Sequence, residues 1–182
     1  KWSLEEAFLL SPTDFPDPFG TIPPPCFVVQ NPDPQRVTIF DARETTKTTI
    51  ENLLVCSRIL DWSFLERHYF TVYQSSITDE AYEYWRKVNV LANQVGSIFD
   101  TPPALIVGNV KNAANPDEMV LGFFQAANQT YSRFFTTRDD ITFPFNPEQC
   151  TFDGSYNSLD YPTRCIDCTS VRNSSYSRPD YF

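Results

Sequence analysis

The sequence predicts an α+β fold: a mostly antiparallel β sheet or sandwich, one amphipathic helix packed on it at about residues 79–95, and a long cysteine-bearing loop region at the C-terminal end. Three observations lead there. Short β-branched and aromatic segments alternate with proline-rich connections over residues 1–75, a single stretch has helical periodicity, and the last 45 residues carry little regular pattern. At 182 residues with 41% hydrophobic side chains, the chain is long enough to bury a core without a metal or a dense set of disulfides. We expect one domain over 1–182, with 138–182 as its tail.

Trp2–Leu10 is the first apolar, strand-like segment. Ser11–Pro25 follows with six prolines, Asp14, Asp17 and Gly20, which excludes a helix and reads as an irregular loop. Cys26–Gln30 ("CFVVQ") is the next strand, Asn31–Pro34 a turn, and Arg36–Ala42 ("RVTIFDA") a further strand candidate. The threonine-rich stretch after it suits an edge or a loop, and Leu53–Leu60 is read as a strand. In Leu65–Ile77, alternation puts His68, Phe70, Val72 and Gln74 on one face and Tyr69, Thr71, Tyr73 and Ser75 on the other.

The helix follows. Ser76 or Thr78 can cap it, Asp79 and Glu80 suit its first turn, and Gly96 marks its end. Ala81, Tyr84, Trp85, Val88, Leu91 or Ala92, and Val95 make its apolar stripe, with Trp85 as core anchor and Glu83–Lys87 as an i,i+4 pair on the wet face. After the extended loop "GSIFDTPPALIVGNV", Met119–Ala127 and Tyr131–Thr137 read as a hairpin turning at Ala127–Thr130.

Composition also excludes functions. A formal net charge of -9 opposes nucleic-acid and anionic-membrane binding. Five glycines against 15 prolines, with no GxGxxG or GxxxxGK[ST], argue against a nucleotide-phosphate loop. No cofactor is called for. His68 is the only histidine, so any Ser/His/Asp or Cys/His site would have to be built around it; beside aromatics in a strand it reads as a structural imidazole. The carboxylate pairs Asp41–Glu44 and Asp79–Glu83 read as solvated surface. Asp139, Asp140 and Asp153 lack calcium-loop spacing. Asn128 and Asn173 open N-x-[ST] triplets, which matter only in a eukaryotic secretory setting. No catalytic or metal residue is assigned.

The five cysteines are Cys26, Cys56, Cys150, Cys165 and Cys168. The last three, C-x14-C-x2-C, allow disulfides in an oxidising compartment, a structural zinc site with His68 or Cys26, or free thiols; a single CxxC is a weak zinc signal. A thioredoxin-like role is rejected, because this CxxC does not open a helix after a strand. Cys56, mid-strand on this reading, is the expected buried thiol.

Residues 71–127, with "YQSSIT", "EAYEYW", "GSIFDTPP", "GNV" and "VLGFF" in order, then "SRFFT" and the ending "RPDYF", resemble a family of uncharacterised Bacteroidetes outer-membrane lipoproteins, a domain of unknown function whose genes sit beside TonB-dependent receptors. The resemblance covers essentially this whole chain and the C-terminal part of the family's length; a signal peptide, a lipid-bearing cysteine and an immunoglobulin-like β-sandwich would precede it. It implies a disulfide-tied C-terminal region, with two disulfides among Cys26, Cys150, Cys165 and Cys168 in undetermined pairing. Cys165 and Cys168 are expected to bond elsewhere rather than to each other.

It further implies a non-enzymatic accessory lipoprotein of the outer membrane, on its cell-surface or periplasmic face, whose partner is a TonB-dependent β-barrel and whose cargo is glycan or peptide. A stand-alone glycan- or peptide-binding module, a structural scaffold and a carboxylate hydrolase are the competing readings. Trp2 and Trp62 are the expected exposed binding aromatics, and the loops Ser11–Pro25 and Asp100–Val110 the expected contact surface.

Overall fold

The computed structural model describes residues 1–10, 24–32, 36–46, 49–93, 105–147, 150 and 162–182, apart from the side chains of residues 44 and 93. Its strands are β1 (Trp2–Leu10), β2 (Cys26–Gln30), β3 (His68–Ser75), β4 (Gln129–Thr136) and β5 (Ser174–Ser175). They form one five-stranded antiparallel sheet in the order β4-β3-β1-β2-β5. The main helix is α1 (Asp79–Asn93), and a single turn, α2 (Thr163–Ile166), lies in the tail. The α+β expectation is met. No described helix is long and apolar enough to cross a membrane.

The register of β1 on β2 sets Glu6 opposite Gln30, Phe8 opposite Val28 and Leu10 opposite Cys26. Residues two apart share a face of a strand, so one face of this pair presents Phe8, Leu10, Cys26 and Val28 together. These side chains and Cys168 form the buried cluster, with Trp62 and Val171 packed against it. Burying a side chain such as Phe8 or Leu10 stabilises by about 1.5–3 kcal/mol. The alternation read in β3 holds in its contacts. His68 stacks on Phe70 and on Phe64, with Phe70 tilted against Phe64, whereas Tyr69 meets Phe135, Tyr181 and Phe182.

The chain divides into two compact units. The first comprises Lys1–Ser3, Asp33–Cys56 and Val72–Ser132, and the second Leu4–Pro32, Ser57–Thr71 and Arg133–Phe182. In the first, Thr78 caps α1, its hydroxyl accepting from the Ala81 N–H at 3.3 Å. The buried face of α1 centres on Ala81, which is fully buried. Tyr84 stacks on Phe123 at 4.9 Å, and Trp85 is half-buried, its indole N–H donating to Gln125 at 2.9 Å. The expected end of the helix at Gly96 lies outside the described residues. On the wet face, Glu83 pairs with Arg86 at 2.9 Å, one residue short of the expected partner Lys87.

In the second unit, Cys26 bonds Cys168 and Cys150 bonds Cys165. The Cα separations of 5.8 and 5.4 Å are ordinary for disulfides. Each member of the Cys165–Cys168 pair thus bonds elsewhere, and both disulfides tie the tail, the first of them into the buried cluster.

Three strand expectations are overturned. Leu53–Leu60 has no regular structure: Leu54 and Ile59 are 62% and 84% exposed, and its carbonyls are met by side chains, Arg36 to Leu54 and Thr38 to Val55. An apolar run without a partner ladder does not become a strand. Arg36–Ala42 contributes only an isolated bridge, Thr38 to Trp2, before a short 3-10 turn at Ala42–Glu44. Met119–Ala127 does not form a hairpin with β4. Leu121 bridges Val107, and β4 pairs with β3, where the Gln129 amide reaches the Ser75 hydroxyl at 3.2 Å and Arg133 Nε the Thr71 hydroxyl at 2.8 Å. Cys56 follows its segment: it is half-buried, outside any strand and outside both disulfides.

Candidate functional site

Sequence reading makes His68 the first place to look for chemistry. A 3-10 turn at Trp62–Phe64, capped by the Asp61 carboxylate on the Ser63 N–H at 2.9 Å, brings the Ser63 carbonyl oxygen to 3.2 Å from His68 Nδ1. On the other side of the ring, Nε2 lies 3.1 Å from Glu6 Oε2. That carboxylate also accepts from Gln30 Nε2 at 2.8 Å and from Arg58 Nε at 2.9 Å. His68 and Glu6 are fully buried, and the imidazole is stacked among Phe8, Phe64 and Phe70 with ring centroids 4.1–5.1 Å away.

A nucleophile paired with a base is missing from this group. Serine–histidine catalysis needs a hydroxyl on the imidazole, and here the imidazole meets the Ser63 backbone carbonyl. The Ser63 hydroxyl is buried without a hydrogen-bond partner among the described residues. The arrangement fixes β1, β3 and the turn at Trp62–Phe64 to one another.

The paired carboxylates are likewise engaged. Asp41 accepts from the Arg43 backbone N–H at 2.9 Å and from its guanidinium at 2.8 and 2.6 Å, and these hydrogen bonds hold its carboxyl down to about 2. Arg43 also reaches Asp79 at 3.2 Å, and its pKa is raised further by both partners. The Glu44 side chain and Asp153 lie outside what is described. Asp140 caps its own turn, accepting from the Thr137 N–H at 2.7 Å and the Thr137 hydroxyl at 3.1 Å, which lowers its pKa. No group of three or more metal-ligating side chains occurs among the described residues.

The first unit contains a cleft of about 490 Å³, within the size range of small-molecule sites. Trp2 and Phe40 give it aromatic walls, and the Asp41–Arg43 pair, Asp79, Gln74 and Asn128 are among its polar lining. Its parts are placed by backbone pairing. The Trp2 N–H donates to the Thr38 carbonyl at 2.8 Å, the Ser75 N–H to the Lys1 carbonyl at 2.8 Å, and the Ser76 N–H to the Asn128 carbonyl at 3.0 Å. Lys1 Nζ lies 3.5 Å above the Trp85 ring. Most of this lining escapes a sequence reading, because it joins segments more than 70 residues apart. The only local signal is Asp41-Ala-Arg43, a short-range pair of opposite charge at a turn.

Of the two tryptophans singled out from sequence, Trp2 lines this cleft. Trp62 does not: it lies in the second unit, edge-on to Phe8 at 5.8 Å, with the Arg164 guanidinium 5.1 Å over its ring. Both are half-buried rather than open platforms. The loop 11–25 lies outside the described residues except for Pro24 and Pro25. Of 100–110 only 105–110 are described, where Leu105 and Val107 are exposed.

A family model described as "Domain of unknown function (DUF4249)" matches residues 24–133, more than half of the chain. No curated protein and no solved structure matches it.

Proposed function

This chain belongs to the DUF4249 family of domains of unknown function, and on that premise we propose that it is a non-enzymatic capture module of an outer-membrane accessory lipoprotein. Its partner is a TonB-dependent β-barrel transporter, and its cargo is held in the cleft beside Trp2 before transfer. The observation that carries the reading is that cleft: aromatic walls with a set of polar side chains at their edge are what reversible binding of a small cargo requires. The engagement of the ionisable groups favours binding over turnover. Asp41 is committed to Arg43, and His68 is enclosed by phenylalanines. The partner and the membrane anchor come from the family resemblance of "YQSSIT", "EAYEYW" and "GSIFDTPP".

The test is purification of the tagged protein from detergent-solubilised native outer membranes, with co-purifying proteins quantified by mass spectrometry. Recovery with a TonB-dependent barrel at about one-to-one is expected. Recovery alone, from membranes whose barrels are intact and abundant, rejects the partnership.

A further inference from the structure

We propose that the cleft beside Trp2 binds a neutral, polyhydroxylated ligand, the saccharide unit of a glycan; the inference rests on reading that cleft as the capture site. The charged groups on its wall are already matched. Arg43 is bound by Asp41 at 2.6 Å and by Asp79 at 3.2 Å, and the Lys1 ammonium sits on the Trp85 ring. A phosphate, sulfate or uronate would meet a guanidinium already neutralised by two carboxylates, and an amine would compete with Arg43 for them.

What the wall leaves for a ligand is neutral. Gln74, Asn128, Tyr82 and Thr130 line the cleft, and their side-chain carboxamides and hydroxyls make no hydrogen bond among the described residues. Carboxamides, taken whole, and hydroxyls both donate and accept, which matches sugar hydroxyls that do the same. Trp2, Phe40 and Tyr82 supply the apolar surface on which the C–H face of a pyranose packs. An extended peptide would instead seek main-chain partners in register along a strand. The carboxamides and hydroxyls of Gln74, Asn128, Tyr82 and Thr130 are side-chain partners instead.

The chain is first probed on a printed array of neutral, acidic and sulfated glycans, with an array of short peptides beside it. The best ligand is then titrated by calorimetry into the wild type and into Gln74→Ala and Asn128→Ala. Both positions are exposed, so the variants are expected to keep the wild-type melt. Neutral glycans should bind, acidic and sulfated ones of equal length about tenfold more weakly, and each variant should lose about 3- to 10-fold in affinity.

Preference for acidic glycans or for peptides overturns the ligand class while leaving a capture site. Neutral-glycan binding that neither alanine variant weakens overturns the location. Silence on both arrays from folded protein overturns the inference outright. If the same protein still recovers the barrel from membranes, the transporter partnership survives that result.

Discussion

His68 Nε2 lies 3.1 Å from Glu6 Oε2 with both side chains fully buried, joining the middle of β1 to the first residue of β3. Burial alone would push the Glu6 carboxyl up. Hydrogen bonds from His68 and Gln30 and the charge of Arg58 outweigh it, so the group stays below its ordinary value of 4.5. The core of the second unit is therefore built around an ionised carboxylate whose partners are all in place.

Acid should undo this arrangement in a defined window. A carboxyl with a lowered folded-state pKa contributes stability that is fully present above its unfolded value and is lost as pH falls through the folded one. The melting temperature should thus begin to fall near pH 4.5 and keep falling below it. Asp41, Glu80 and Asp140 are lowered as well, so the Glu6 share is isolated by difference. Glu6→Gln should flatten the profile in that window, and Glu6→Ala should cost about 3–5 kcal/mol at neutral pH by stripping partners from a buried site. Wild type and Glu6→Gln with parallel melting profiles from pH 7 to 3 would refute the assignment.

Gly108 offers a steric prediction. A Cβ built there would overlap the Gly122 carbonyl oxygen, beside the bridge between Val107 and Leu121. Gly108→Ala should destabilise by about 1–3 kcal/mol, because backbone rather than a flexible side chain has to give way. Gly122 has open space around a Cβ but sits at φ +122°, so Gly122→Ala should cost about 1–3 kcal/mol through backbone strain instead. Urea unfolding measures both, and a wild-type midpoint for Gly108→Ala would show that the two backbones do not meet.

How much of this was legible in the sequence depended on whether the cause was local. The strands Trp2–Leu10 and Cys26–Gln30 and the helix from Asp79 were readable, because apolar pattern and a Thr78 cap are encoded within a few residues. Leu53–Leu60 has the same apolar content, yet it joins no ladder among the described residues, and partners are not written in the segment itself. The hairpin expected at Ala127–Thr130 failed for the same reason: β4 chose β3, more than 50 residues earlier, over its neighbour. His68 was recognisable as structural from its aromatic setting. Its partner Glu6, 62 residues away, was not, and neither was the cleft, which only the folded chain assembles.

Cysteine chemistry can be counted. Five cysteines and two disulfides leave Cys56 as the one thiol. Unfolded without reductant, the oxidised protein should react with one equivalent of a thiol reagent, and Cys56→Ser should react with none. The folded protein should react more slowly, because Cys56 is half-buried. Two or more thiols in the unfolded wild type would mean that a disulfide is missing.

The two disulfides should contribute unequally. Cys150–Cys165 closes a sequence separation of 15, for which the chain-entropy model gives about 3 kcal/mol; Cys26–Cys168 closes 142, and a 100-residue loop already gives about 4.7 kcal/mol. The second bond also lies inside the buried cluster with Phe8, Leu10 and Val28, so its removal takes packing with it, whereas Cys150 is only half-buried. Cys150→Ala with Cys165→Ala should lower the urea midpoint and leave a cooperative transition. Cys26→Ala with Cys168→Ala should lower it further and release the tail from the β1–β2 face, read as faster proteolysis after Arg164 or Arg172. Equal midpoints for the two double variants would mean that the long loop confers no extra constraint on the unfolded chain and that the cluster holds its shape without the bond.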